Sequence, residues 1–157
     1  MTTQIAPPPN INYPLGIQYG DFDDFITTSS DYGGDLKKAN CKLKGPHSWL
    51  ASDNDKKGYI QVNLRNGFII NAISIQGRYS SGQWVTKFRV LWSPDGEEYI
   101  HLCELKGNID DNSIEKRYLP EPVFCKGIRI QPLECNSYRC MRFELHYLLP
   151  KENKPNI

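Results

Sequence analysis

The apolar residues of this chain do not recur with the three-to-four-residue period of a helix. They alternate, and turn residues cut the alternation at short intervals. The clearest case is the stretch from Asn71 to Gly96. Ile73 and Ile75 alternate with polar neighbours, as in a half-buried strand. Phe88, Val90 and Trp92 repeat the pattern further on. Between the two lies a polar loop, Gly77-Arg78-Tyr79-Ser80-Ser81-Gly82-Gln83, and Pro94-Asp95-Gly96 closes the second strand with turn chemistry. Residues 59–64 place Ile60, Val62 and Leu64 on one face; the turn signal Asn66-Gly67 follows, then Phe68-Ile69-Ile70. Further strands are expected at 26–30, 99–105 and 125–131, with 107–115 a polar connection and 115–119 leading to Pro120 and Pro122. In a last strand, at 140–147, Met141, Phe143, Leu145 and Tyr147 face inward and His146 outward. Many short strands joined by Gly, Pro and Asn turns point to an all-β sandwich or barrel.

A length of 157 residues suits one domain with a core of its own. With 39% hydrophobic and 24% charged residues the composition is that of an ordinary globular protein, and a net charge of +1 supplies no field to attract nucleic acid. No apolar run reaches the length that spans a bilayer. The N-terminal residues lack the basic and apolar regions of a secretory signal, no Asn-x-Ser/Thr sequon occurs, and five cysteines make an odd number. These features set the expectation of an intracellular, cytoplasmic protein with reduced thiols.

Three regions follow. Residues 1–12 are a Pro-rich arm in which Pro7-Pro8-Pro9 favours polyproline II. Residues 13–149 form the domain, and 150–157 a polar tail. Ile5, Pro7, Pro8, Pro9 and Ile11 of the arm can be buried only against a partner or the chain's own sandwich, and are candidates for a partner-binding clamp.

Five pieces of sequence, in order, resemble the discoidin family, also called the coagulation factor 5/8 type C domain. They are Pro14-Leu15-Gly16 with Ile26-Thr27-Thr28-Ser29-Ser30; Ser48-Trp49 with Gln61-Val62-Asn63-Leu64; Gln76-Gly77-Arg78 with Trp84-Val85-Thr86; Ile128-Arg129-Ile130-Gln131-Pro132; and Met141-Arg142-Phe143-Glu144-Leu145. The resemblance covers about Tyr13 to Leu148 and implies an eight-stranded antiparallel jelly-roll β-sandwich of the galactose-binding-like type. It implies a binding module, not an enzyme, whose ligands meet three loops at one end, here about 31–42, 45–48 and 78–83. Relatives that staple their ends with a disulfide carry its cysteines where this chain has Tyr13 and Leu148, the family's Asp in Gln-Val-Asp-Leu is Asn63, and Cys135 stands where the family usually has Trp.

On those loops the ligand candidates are Asp31, Tyr32, His47, Arg78 and Tyr79. Arg78 with a carboxylate and an aromatic ring could grip sugar hydroxyls. The many lysines around Tyr32, Leu36, His47 and Tyr79 make the tips too polar for deep insertion into lipid. His47, His101 and His146 have no nucleophile or base at a recognised spacing, and Cys135-x4-Cys140 follows no zinc pattern, so no catalytic group, metal or cofactor is assigned. Asp21, Asp23 and Asp24 read as a solvated acidic turn, and Asp53-Asn54-Asp55 lacks the Gly and distal Glu of a calcium loop. Trp49, Trp84 and Trp92 are expected in the core. The resulting expectation is a protein-binding scaffold subunit of a larger intracellular assembly, cytoskeletal or ciliary; the alternative is a soluble lectin for galactose-like glycans.

Overall fold

The computed structural model describes residues 11–150. They form seven strands: β1 (Asn12–Pro14), β2 (Ile26–Thr28), β3 (Ile60–Gln76), β4 (Trp84–Ser93), β5 (Ile100–Lys106), β6 (Glu115–Asn136) and β7 (Arg142–Leu148). All pairings are antiparallel, in the order β1-β7-β3-β6-β4-β5, with β2 on β3. The fold is the expected all-β jelly-roll sandwich. The strand number differs from eight because β3 and β6 are long enough to bend from one layer into the other. Residues 60–63 of β3 pair with 127–130 of β6 in the layer that holds β2, β4 and β5. Residues 68–75 pair with 115–125 in the layer that holds β7 and β1.

The bend in β3 falls at the Asn66-Gly67 turn signal. Gly67 has a positive φ of 113°, but the other positive value falls on Arg65, at 58°, and not on Asn66, so the two-residue reversal that needs it at both Asn and Gly does not form. The chain does not reverse: residues 64–67 stand opposite Lys126 alone, and pairing resumes at Phe68 with Cys125. The signal marks a wide bulge, which re-aims a strand instead of ending it. Likewise β6 runs on through Pro120 and Pro122, which fall in a second bulge, where 119–122 stand opposite Asn71 alone. There it is an edge strand of its layer, where a missing N–H costs no ladder bond.

Between the layers lie Ile60, Val62, Leu64, Ile73, Ile75, Phe88, Val90, Ile128, Ile130, Met141, Phe143 and Leu145, all buried. Each such side chain contributes about 1.5–3 kcal/mol relative to exposure. Trp49 is fully buried with them and Trp92 packs partly buried against them. Trp84 departs from the expectation. Register shifts between Val85 and Phe88 in the pairing of β4 with β6 flip the inward phase, so Val85 is fully buried and Trp84 only half-buried. At the end away from the loops the rings of Phe25, Phe22, Phe68, Tyr147 and Tyr13 form a continuous row with centroids 5.1 to 6.1 Å apart. Tyr13 is thus held to β7 by its ring contact and the β1 ladder, where stapled relatives would use a covalent bond.

Candidate functional site

The loop end is built on β3, which stops at Gln76, and β7, which starts at Arg142 beside it. Arg142 is 1% exposed and its guanidinium gathers three loops. Nε donates to the Gly77 carbonyl at 2.6 Å and Nη1 to the Gly45 carbonyl at 2.6 Å. Nη2 donates to the Asp111 carbonyl and to Asn112 Oδ1, both at 3.3 Å. Burial lowers the Arg142 pKa from its ordinary value, and the Asp111 carboxylate works against that shift. An arginine keeps its charge under such a shift. The side chain therefore acts as a permanent fork-shaped clamp on backbone carbonyls.

Its neighbours extend the clamp. Gln76, 3% exposed, accepts from the Lys44 N–H at 2.9 Å and donates to the Asn112 carbonyl at 2.6 Å. The Asp111 carboxylate accepts from the Ser81 and Gly82 N–H groups at 3.1 and 2.9 Å, fixing the 77–83 loop, in which Ser80 and Gly82 have positive φ. Glu144, one turn of the pleat beyond Arg142 and also buried, accepts from the N–H groups of Ile17, Gln18 and Leu145. Burial raises its pKa, and those backbone donors pull it back.

A cleft of about 430 Å³ opens here, lined by the buried Gln76 and Arg142 together with Lys44, Gly45, Pro46, Tyr79 and Asn112. Of the five ligand candidates only Tyr79 lines it, with 60% of its surface exposed. Arg78 lies beside it, pairing its N–H with the Gln83 carbonyl and its Nη1 with Gln83 Oε1, both at 3.0 Å. Asp31 is an internal fastener: it accepts from Thr28 Oγ1 at 2.7 Å, from Trp49 Nε1 at 3.1 Å and from the Lys38 N–H at 3.2 Å. Tyr32 is held by its backbone to the Leu50 carbonyl and is 53% exposed. His47 lies 3.8 Å from Asp35. The candidates thus share one end of the molecule but do not converge on one point. Ile11 of the proposed arm clamp is 56% exposed; Ile5, Pro7, Pro8 and Pro9 lie outside the described residues.

Sequence reasoning missed Arg142 and Gln76 because an outward-facing polar residue on a strand ordinarily meets water. The available signal was two charged residues, Arg142 and Glu144, alternating with the apolar Met141, Phe143 and Leu145 of the closing strand. Asp55, in a stretch that lacks the Gly and Glu of a calcium loop, accepts hydrogen bonds from the Ser29 and Ser30 hydroxyls, which lower its pKa. Among the described residues no three His, Cys, Asp or Glu side chains gather as a metal site would require, and no helix is long and apolar enough to cross a membrane. All five cysteines are free, with Cys41, Cys125 and Cys140 buried.

Comparison with known proteins agrees with this architecture. Lactadherin of Sus scrofa is 29% identical over 153 residues, covering 85% of this chain and 37% of lactadherin. Neuropilin-1 of Gallus gallus is 28% identical over 145 residues, covering 85% of this chain and 16% of neuropilin. The chain thus spans well under half of either relative. Among solved structures, wild-type discoidin II from Dictyostelium discoideum superposes with a TM-score of 0.73 at 28% identity, covering 80% of this chain and 55% of that one. The family 32 CBM from C. perfringens NanJ, solved in complex with galactose, shares the fold, with a TM-score of 0.69 at 14% identity over 87% of this chain and 99% of that one. Residues 25–145 match the F5/8 type C domain, and the chain belongs to that family of carbohydrate- or protein-binding modules.

Proposed function

We propose that the protein is a non-catalytic module that holds a protein partner against the loop end of its sandwich, as one subunit of a larger intracellular assembly. The observation that carries this reading is the prior engagement of the buried polar groups in the cleft and of Asp31 outside the cleft. Gln76 and Arg142 are buried and bonded to loop backbone, and Asp31 is bonded to Thr28, Trp49 and Lys38. A sugar site needs such groups free to meet hydroxyls. What this end presents instead is the exposed rings of Tyr32 and Tyr79 among exposed lysines, on loops that are already locked. Rigid aromatic anchors with a charged surround suit a protein surface, because little conformational freedom is lost on docking. Five free thiols support a reducing compartment for that partner.

The second reading, a galactose-like glycan on the same end, has the Tyr79 ring beside the cleft in its favour, with Lys44 and Asn112 at hand. A photo-crosslinking residue placed at position 79 separates the two. A protein partner gives a discrete adduct of fixed mass, which Tyr32→Ala weakens, and the protein passes unretained through galactose resin. Retention on that resin, abolished by Tyr79→Ala, with no protein adduct, refutes the proposal in favour of the glycan.

A further inference from the structure

The end of the sandwich opposite the loops carries an apolar groove of about 250 Å³ whose lining holds no charged side chain. Phe68, Ile69, Phe124, Tyr147, Leu148 and Leu149 form its walls. Its shape is fixed by Gly67. That residue has a φ of 113°, and the Phe124 ring lies across it where any β-carbon would collide. The ring is therefore seated on one face, yet Phe124 is 58% exposed and Leu149 61% exposed. A fixed aromatic shelf of this kind, left open to water, is an unfilled contact.

We propose that residues 5–9 of this same chain, Ile5-Ala6-Pro7-Pro8-Pro9, occupy the groove. The first argument is position. Asn12 pairs with Leu148, Leu148 with Ile69 and Ile69 with Phe124, so these four residues form one row across the layer, from β1 at one edge to β6 at the other. Ile11 is the residue that leads into this row, and the chain outside the described residues enters here. The second argument is length. Three strand spacings separate β1 from β6, about 14 Å in all. A polyproline segment from Ile11 back to Pro7 covers about 12 Å, which brings Pro7–Pro9 over Leu149 and Phe68 and up to the Phe124 ring. The third argument is chemistry. Residues 1–10 carry no charged side chain, whereas the tail that leaves Pro150 contains Lys151, Glu152 and Lys154. An uncharged groove lined with aromatic rings receives prolines well, because their rings stack and their backbone has little freedom to lose. The docked segment covers an apolar surface that would otherwise favour self-association. This assignment is independent of the loop-end reading, since the two sites lie at opposite ends of β7.

The test uses the full chain in solution. Nuclear Overhauser contacts are recorded between the ring protons of Phe124 and Tyr147 and the δ protons of Pro7, Pro8 and Pro9. A second sample mixes isotope-labelled and unlabelled chains to separate contacts within a chain from contacts between chains. Intrachain contacts are expected. They should vanish in Phe124→Ala and in Pro8→Asp, which puts a charge into the uncharged groove and alters no residue of the sandwich. Should Phe124→Ala fail to fold, Pro8→Asp alone decides, through the shift of the Phe124 ring signals. Contacts seen only between labelled and unlabelled chains assign the groove to a second copy and overturn the proposal. So does the absence of any contact between the prolines and these rings.

Discussion

Replacing Arg142 by Met tests whether one side chain organises the whole loop end. The substitution nearly keeps the length of the aliphatic stem and removes the fork. It leaves the carbonyls of Gly45, Gly77 and Asp111 without their donor, and Asn112 Oδ1 with Gln76 Nε2 alone. A hydrogen bond to a charged group contributes about 1.5–3 kcal/mol, and a buried acceptor left unpaired costs about 1–3 kcal/mol. The four bonds share one guanidinium and do not add, and the loss of a buried charge refunds part of its desolvation. The net expectation is a destabilisation of about 3–5 kcal/mol, set by three buried acceptors left unpaired at about 1–3 kcal/mol each and offset by the desolvation no longer required. With a urea dependence of about 2 kcal/mol per molar, the unfolding midpoint should fall by about 2 M. Arg142→Lys should fall between, since an ammonium keeps the charge but cannot reach all four acceptors at once. Amide exchange supplies a local readout: the Ser81 and Gly82 N–H groups, held by the Asp111 carboxylate, should lose protection in Arg142→Met well before the core amides do. A midpoint within about 0.5 M of wild type would mean that the carbonyls find other donors and the clamp reading is wrong.

Trp49 and Trp84 should behave differently. Trp49→Ala, emptying a fully buried site, should cost about 3–5 kcal/mol, while Trp84→Ala at its half-buried site should cost clearly less; equal losses in denaturant titration would contradict the β4 register. Cys41 and Cys125, whose pKa values burial pushes up to about 12, should resist alkylation in the native protein, with the half-buried Cys103 and Cys135 modified first. After unfolding without reductant, mass spectrometry should count five modified thiols, and a protected pair would refute the free-thiol assignment. His146, hydrogen-bonded to Ser74 at 2.7 Å, is lowered from 6.5 to about 4 by burial, with Lys116 adding to the effect. The unfolded chain therefore takes up that proton first, so stability held above pH 6.5 should be lost as pH falls toward 4. The loss should be about 3 kcal/mol at most, and His146→Gln should remove that part of the acid sensitivity; identical pH profiles for the two proteins would refute it.

Much of the fold was legible because burial imposes a period of two on a strand, and Ile60-Val62-Leu64, Phe88-Val90 and Met141-Phe143-Leu145 all obey it. The departures arise where one strand's geometry is set by its neighbour. Of Asn66-Gly67 only Gly67 takes the positive φ of a turn, and whether such a residue reverses the chain or only kinks it depends on what lies alongside. Here β6 continues past the kink and pairs on both sides of it. The phase of Trp84 was misread for the same reason: the irregularity near Lys87 exists only in the register between β4 and β6, and no residue in that stretch announces it.

The site was less legible than the fold, and the cause is physical. A loop's own residues show what it could offer a ligand, but not what the protein has already used. Asp31, Arg78 and Tyr79 all carry groups that a glycan could accept or donate to, and sequence alone weighs them alike. In the folded chain Asp31 fastens Trp49, Arg78 turns Nη1 to Gln83, and only the Tyr79 ring faces the cleft. Conversely, Arg142 lies on a strand and offers nothing to a ligand directly, yet it fixes the three loops relative to one another. The loop end therefore divides into two kinds of residue. The buried clamp sets the shape of the end and tolerates no change, whereas exposed tips such as Tyr32 and Tyr79 can vary without cost to the core. A family built this way can change its ligand by substituting tip residues alone. For that reason the family assignment settles the architecture of this chain while its partner must be read from the tips.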